Sequence, residues 1–194
     1  MYERYFENLM SKVPISESDR QQIEPFLAVK KLRRRQFLLQ EGDVWKQVAF
    51  VEKGALRMYT VAETGAEHII QFAIEGWFIG DLFSFLTGEP ATYTIEAIED
   101  SDVIVMSKAD HDHLLKTCPA YSSFHRELVT GAYIALQRRL NSIFSQSLEE
   151  RYESFMSKYP NIAQRVPQHM IASYLGLTPE TLSRVRRRLA SGKL

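Results

Sequence analysis

Three kinds of hydrophobic spacing follow one another along the chain. Behind Ser16-Glu17-Ser18-Asp19, Ile23, Phe26 and Leu27 stand at helical intervals. A serine followed three residues later by an acid can satisfy the exposed donors of a helix start, so 16–27 predicts a short packing helix. From Val29 to Ser107 the pattern changes to short β-rich runs at 36–40, 48–51, 55–61, 68–74, 92–98 and 102–106. Glu52-Lys53-Gly54 and Glu63-Thr64-Gly65 fall between consecutive runs as hairpin turns do. In 92–98, alternation puts Tyr93, Ile95 and Ala97 on one face. These runs predict an all-β roll or barrel.

The third spacing is helical and longer. Ser107, with Asp110 three residues on, predicts a helix start, and Pro119 opens a second helix reaching about Phe144. Tyr121, Phe124, Leu128, Ala132 and Ala135 recur along it at steps of three and four. A helix of ~25 residues is longer than a small roll can cover, so its exposed stripe is expected to pair with its twin in a homodimer. The alternative is a core helix of a monomer. Ser147-Leu148-Glu149-Glu150 starts another helix, which places a break near Ser145 and Gln146, and Tyr159-Pro160-Asn161 ends it. The expected domains are a roll over 1–118, a dimerisation helix and hinge over 119–145, and a terminal domain over 146–194.

Within that terminal domain, residues 168–185 carry the pattern of a helix-turn-helix. Ala172 is small where two helices cross, and Gly176 suits a left-handed turn. Ile171, Leu175, Leu177, Leu182 and Val185 supply the apolar faces. Thr178 is a good N-cap, Pro179 fits the first helical position and Glu180 favours the first turn, so the second helix starts at Thr178. Its outward side presents Pro179, Glu180, Ser183, Arg184 and Arg187. Arginine can grip guanine bidentately, glutamate can accept from cytosine, and serine can serve a base or a phosphate. The DNA-facing set is therefore Thr178, Glu180, Thr181, Ser183, Arg184, Arg186, Arg187 and Arg188, with Arg186, Arg187 and Arg188 assigned to phosphates. Taken together, the chain reads as α+β.

Composition sharpens this picture in two places. The net charge of zero hides an asymmetry: from Asn161 onward Arg165, Arg184, Arg186, Arg187, Arg188 and Lys193 face Glu180 alone, so this tail carries +5 and the remainder −5. A basic segment on a neutral chain implies one face made for a polyanion. Cys118 is the sole cysteine, which excludes a disulfide framework and any iron-sulfur cluster built from several thiolates. The polar, acidic N-terminus is no signal peptide and no apolar run has the length of a membrane helix, so the cytoplasm is the expected location.

The layout as a whole resembles the Crp–Fnr family of transcription regulators. Gly65-Ala66-Glu67-His68-Ile69-Ile70-Gln71-Phe72 with Gly76-Trp77-Phe78-Ile79-Gly80-Asp81-Leu82 is similar to the family's cyclic-nucleotide-binding roll, and Thr178-Pro179-Glu180-Thr181-Leu182-Ser183-Arg184 to its recognition helix. The resemblance implies a double-stranded β-helix of jelly-roll or cupin type, a winged-helix-type DNA-binding domain, double-stranded DNA as partner, and contact with RNA polymerase. Members that bind cyclic AMP use a glycine-glutamate pair for the ribose and an arginine-serine pair for the phosphate. Here the first becomes Gly80-Asp81 and the second Ala91-Thr92, so the guanidinium is missing and cyclic AMP is not expected. Two possibilities stay open for the roll. A small-molecule effector occupies a pocket lined by Phe72, Gly80, Asp81, Leu82, Thr92 and Tyr93, or Phe83, Phe85 and Tyr93 fill the interior. Pro179 stands where relatives often carry a base-reading arginine, and the sequence stops at Leu194, where many continue into a β-hairpin wing, absent or truncated here.

Other chemistry is thinly represented. Asp110-His111-Asp112-His113 holds metal-ligating types, but His111 and His113 are two apart on a helix start and diverge, so solvated charge is the expected use. His68 stands alone on a strand and reads as structural. No phosphate-cradling loop or nucleophile elbow occurs, so an enzyme is not expected. The competing readings are a small-molecule-binding roll whose basic tail contacts protein, and a metal-dependent β-barrel enzyme.

Overall fold

The protein is described from a computed structural model, which covers residues 2–191; Lys193, counted above in the basic tail, lies outside the described residues. Helices α1 (Glu3–Met10) and α2 (Glu17–Ile23) lead through a 3-10 turn (Glu24–Phe26) into strands β1 (Ala28–Leu32), β2 (Phe37–Leu39), β3 (Gln47–Lys53), β4 (Ala55–Val61) and β5 (Glu67–Ile74). A short α3 (Leu82–Thr87) precedes β6 (Thr94–Ala97) and β7 (Ser101–Ser107). Helices α4 (Lys108–Thr117), α5 (Pro119–Ser145), α6 (Leu148–Lys158), α7 (Pro160–Arg165), α8 (Gln168–Leu175) and α9 (Pro179–Ala190) complete the chain.

Two compact units share these elements. The N-terminal unit comprises the chain up to Thr60 together with Gln71–Gly131, and the C-terminal unit comprises Val61–Ile70 with the chain from Ala132. The tip of the β4–β5 hairpin therefore belongs to the C-terminal unit, and α5 runs from one unit into the other.

In the N-terminal unit the strands form an antiparallel β1-β7-β3 sheet and a β2-β6-β4-β5 sheet, the roll expected from the runs of β-formers. On β3 and β7 successive side chains face opposite ways. Phe50, Ile104 and Met106 join a core built with Tyr5, Phe6, Leu9, Ile23, Leu114, Cys118, Tyr121 and Phe124. Ala49, Val51 and Val103 on the other face are equally buried, as are Leu56, Ile95 and Ala97 of the second sheet. Helix α1, which the charged N-terminus does not announce, inserts Tyr5 edge-on to Phe50 at 5.4 Å between ring centres. Its acids face water and its aromatics face the core.

The expectation for 92–98 needs correction: the strand is Thr94–Ala97 and both its faces are buried. Glu96 is buried because Arg57, opposite it in the register of β4 and β6, meets its carboxylate at 2.6 Å. His111 is likewise buried rather than solvated. Its Nδ1 lies 2.8 Å from the Tyr121 hydroxyl, and its ring lies 4.7 Å from that of His125. Burial and the neighbouring His125 and Lys108 charges, against the opposing pull of Asp112, bring its pKa down to about 4.

The expected caps form. Ser107 accepts from the Asp110 N–H, and Ser147 and Glu150 make a reciprocal capping box. Pro160 ends α6 as expected and then serves as the first residue of α7. The apolar stripe of α5 divides: Tyr121 and Phe124 are buried in the N-terminal unit, whereas Ala132 and Ala135 are exposed.

Candidate nucleic-acid interface and effector loop

The C-terminal unit is built around Phe155, Ile162, Val166, Ile171, Ala172, Leu175, Leu182 and Val185, all buried. Ala172 has no exposure at all, which fits a close crossing of α8 with α9. Gly176 follows α8 at φ 71, a left-handed value that only glycine adopts without strain, and the Leu177 N–H then returns to the Ala172 carbonyl. Thr178 caps α9 by accepting the Thr181 N–H at 3.2 Å, and Pro179 takes the first helical position.

With Leu182 and Val185 turned inward, Glu180, Ser183, Arg184 and Arg187 are left exposed on α9. Glu180 sits at the positive end of the helix, where its own backbone N–H, the Thr178 hydroxyl and the Arg184 charge hold its carboxyl below the usual glutamate range. The Arg184 guanidinium donates to the Thr181 hydroxyl at 3.1 Å, and Thr178 and Thr181 are themselves linked, so the three side chains form a ladder along the first two turns.

The remaining arginines differ from one another. Arg186 donates to the Gln168 side chain at 3.1 Å, and Arg188 pairs with Glu149 of α6 at 3.1 Å. The Arg187 side chain has no hydrogen-bond or ion-pair partner among the described residues. Gln168 and Glu149 were not legible as members of this surface. Each lies many residues from its arginine, and neither has a local signature. The arrangement can present carboxylate, hydroxyl and guanidinium groups to base edges, with one unbraced and two braced cations beside them.

In the N-terminal unit the residues expected to line an effector pocket lie in differing settings. Phe72 and Asp81 are buried, Tyr93 is half-buried, and Leu82 (47 %) and Thr92 are exposed. Asp81 and Thr92 are brought together: one Asp81 oxygen accepts the Ser84 N–H at 3.0 Å and caps α3, and the other accepts the Thr92 N–H at 3.1 Å. The Ser84 hydroxyl accepts the Trp45 N–H at 2.9 Å and donates to the Glu89 carbonyl at 2.6 Å. The loop from Gly80 to Thr92 is thus knit by its own side chains. At Gly80 the Trp45 indole approaches so closely that a Cβ would meet its Nε1 at 2.5 Å. Phe85 is buried and rests edge-on against His111, as filling the interior requires, but Phe83 turns outward at 51 % exposure. A six-residue helix with one inward face buries Ser84 and Phe85 and leaves Leu82, Phe83 and Leu86 outside.

No group of three or more metal-ligating side chains is assembled among the described residues, and no described helix is long and apolar enough to cross a membrane.

Comparison with known proteins agrees with this geometry. Residues 29–118 match the cyclic nucleotide-binding domain. The chain is 25% identical over 195 residues to a fumarate and nitrate reduction regulatory protein of Vibrio cholerae, spanning 93% of this chain and 76% of that protein. To regulatory protein HlyX of Actinobacillus pleuropneumoniae it is 24% identical over 186 residues, or 88% and 75% of the two chains. Among solved structures, FixK2 of Bradyrhizobium japonicum shares the fold with a TM-score of 0.74 at 20% identity, over 86% of this chain and 85% of that one. The catabolite activator protein of Thermus thermophilus does so at 0.60 and 17%, over 95% and 87%. Over most of its length the chain is thus similar in sequence to the fumarate and nitrate reduction and HlyX regulatory proteins, and it shares its fold with FixK2 and the catabolite activator protein.

Proposed function

We propose that the chain is a transcription regulator of the Crp–Fnr family that acts in the cytoplasm as a homodimer on near-palindromic double-stranded DNA, with one α9 helix in each of two successive major grooves about 34 Å apart. One observation carries this reading. Helix α9 packs on α8 and α6 with Leu182 and Val185 buried, and Glu180, Ser183, Arg184 and Arg187 are among the residues it leaves exposed. Arg184 reads guanine, Glu180 accepts from cytosine, and Ser183 serves a base or phosphate. Thr178 and Thr181 sit at the helix start, where hydroxyls reach the DNA backbone, and Arg186, Arg187 and Arg188 meet phosphates.

The dimer is argued from α5. Beyond Gly131 that helix exposes Tyr133 (61 %), Ile134, Leu136, Leu140, Ile143 and Phe144 (85 %), an apolar surface that water opposes and a second copy would cover. The division into a roll over 1–118, a dimerisation helix and hinge over 119–145 and a DNA-binding domain over 146–194 follows from these roles. RNA polymerase is the expected protein partner on DNA. The effector loop, with Ala91 where a phosphate-binding arginine would stand and with Asp81 committed to Ser84 and Thr92, favours an effector other than cyclic AMP, held near Phe72, Gly80, Asp81, Leu82, Thr92 and Tyr93.

The test is selection of duplexes from a random pool by the wild type, followed by affinity measurement on the selected palindrome. Arg184→Ala should weaken binding about ten-fold or more at fixed salt, and affinity should fall steeply with salt. Equal affinities for wild type and variant would refute the assigned role. Binding that ignores salt would favour a roll whose basic tail contacts protein.

A further inference from the structure

The C-terminal unit contains a second constellation of polar contacts, away from the exposed side of α9. Four backbone carbonyls and one N–H are taken up by three side chains. The Ser173 hydroxyl, on α8, donates to the Glu67 carbonyl at 2.7 Å and accepts the Ile69 N–H at 2.9 Å. Strand β5 is an end strand of its sheet, so backbone groups along its free edge need partners from elsewhere, and one serine supplies both a donor and an acceptor.

Arg139, on α5, donates through one nitrogen to the Ile70 carbonyl and through the other to the Tyr174 carbonyl at 3.1 Å. Its guanidinium also lies over the Tyr174 ring at 4.2 Å. Arg151, on α6, donates to the next carbonyl, that of Leu175, at 3.1 Å. The last carbonyls of a helix have no intrahelical partner and carry the negative end of its dipole, so two guanidinium groups there hold the end of α8 with charge as well as hydrogen bonds. One residue later Gly176 turns the chain, and α9 begins at Pro179. Whatever fixes the end of α8 therefore fixes the direction in which α9 sets out.

We propose that Ser173 and Arg139 are positioning residues that clamp α8 to the hairpin tip and to α5, and thereby set the separation and phase of the two recognition helices in the dimer. This rests on the dimeric, DNA-binding reading given above. Neither residue touches DNA in that reading; each acts on α9 through α8. A single half-site needs one α9 of the right surface, whereas a palindrome needs two at one separation. One extra base pair moves the half-sites by about 3.4 Å and rotates them by about a tenth of a turn. Loss of the clamp therefore costs spacing selectivity and spares half-site recognition.

The experiment measures affinity for the selected palindrome, for versions with the centre lengthened or shortened by one base pair, and for a duplex carrying one half-site. Wild type, Ser173→Ala, Ser173→Thr and Arg139→Gln are compared at one salt concentration, with thermal unfolding alongside. Wild type should discriminate the native spacing by about ten-fold or more, on the scale of one mismatched base pair. Ser173→Ala and Arg139→Gln should narrow that to about three-fold or less, with half-site affinity within about two-fold of wild type, and Ser173→Thr, which keeps the hydroxyl, should retain wild-type selectivity. Undiminished spacing selectivity in Ser173→Ala would overturn the clamp, as would loss of its half-site binding or of its folding, since the serine would then support the fold and not the direction of α9. Wild type that binds the half-site and the palindrome equally well would instead remove the dimeric reading on which the clamp stands.

Discussion

Arg57 and Glu96 face each other across β4 and β6, and their side chains meet at 2.6 Å in a setting that exposes each by about a tenth. The Arg57 guanidinium also lies over the Tyr59 ring at 4.3 Å. Two charges this deep have given up most of their hydration, and each tolerates burial only because the other is there. Removing one leaves the other uncompensated. Glu96→Ala is therefore expected to destabilise the protein by about 3–5 kcal/mol, read as a lowered urea midpoint. Replacing both together, Arg57→Met with Glu96→Leu, should recover most of that loss, because the stranded charge is gone. A double variant as unstable as the single one would show that the pair contributes more than mutual neutralisation.

The contact of Trp45 with Gly80 makes a second prediction. A methyl group at position 80 would stand 2.5 Å from the indole Nε1, so the ring must move or the loop must shift. Gly80→Ala should cost about 1–3 kcal/mol, the usual cost of overpacking, and red-shift the tryptophan emission as Trp45 meets water. An unchanged spectrum and midpoint would mean that the loop yields freely.

Asp81 supplies a third. Its two oxygens hold the Ser84 and Thr92 N–H groups, so Asp81→Ala removes the cap of α3 and strands two backbone donors near a buried position. The expected loss is about 1–2 kcal/mol, measured by denaturant unfolding. Cyclic AMP at millimolar concentration should leave the melting temperature of the wild type unchanged. A clear upward shift would mean that the loop opens to admit a phosphate without an arginine to receive it.

Local chemistry explains which parts of this fold could be read in advance. Ser107 with Asp110, Ser147 with Glu150, and Thr178 with Pro179 each define a helix start within four residues, and each forms. The inward positions Ile171, Ala172, Leu175, Leu182 and Val185 follow from helical spacing alone, and all are buried. Helix α1 escaped notice because Tyr2 supplies no side-chain cap, and Tyr5, Phe6 and Leu9 acquire meaning only against distant Phe50 and Tyr121. The partner of Glu96 is 39 residues away, and no pattern within either strand points to it. Arg186, Arg187 and Arg188 are adjacent and alike in sequence, yet Gln168 and Glu149 engage two of them and leave the third. That distinction arises from how α6, α8 and α9 pack. The clustering of residues 61–70 with the C-terminal unit is of the same kind, depending on Ser173 and Arg139 in helices about 70 to 100 residues away.

His111 makes stability depend on pH in a fixed direction. Its pKa is about 4 in the folded protein, pushed down mainly by burial among Phe85, Tyr121 and His125, against an ordinary value near 6.5. The folded state thus binds the proton less readily than the unfolded one. The stabilisation from neutral His111 is complete above pH 6.5 and is lost as pH falls from there to about 4, on the order of 3 kcal/mol over that window. His125, also pushed down by burial, adds in the same direction. His111→Asn should be less stable at pH 7.5, having lost the contact with Tyr121, and should show a flatter decline between pH 7 and 5. Parallel pH profiles for the two proteins would place the titrating group elsewhere.

Arg184, Arg187 and Arg188 of α9 should separate by experiment as they do by surroundings. Arg184, held by Thr181 on the outward face, is assigned to a base, and its loss should cost about 1–3 kcal/mol and relax preference at one position of each half-site. The Arg187 side chain has no hydrogen-bond or ion-pair partner among the described residues, so Arg187→Ala should weaken binding to all sequences alike and reduce the slope of log affinity against log salt by about one per subunit. Arg188 is already paired with Glu149, and a phosphate that recruits it must compete with that carboxylate. Arg188→Ala should therefore change the salt slope less than Arg187→Ala does, while Glu149→Gln, which releases Arg188, should tighten non-specific binding at low salt. Equal slopes for Arg187→Ala and Arg188→Ala would mean that the Glu149 pair does not survive on DNA and that both arginines meet phosphates on equal terms.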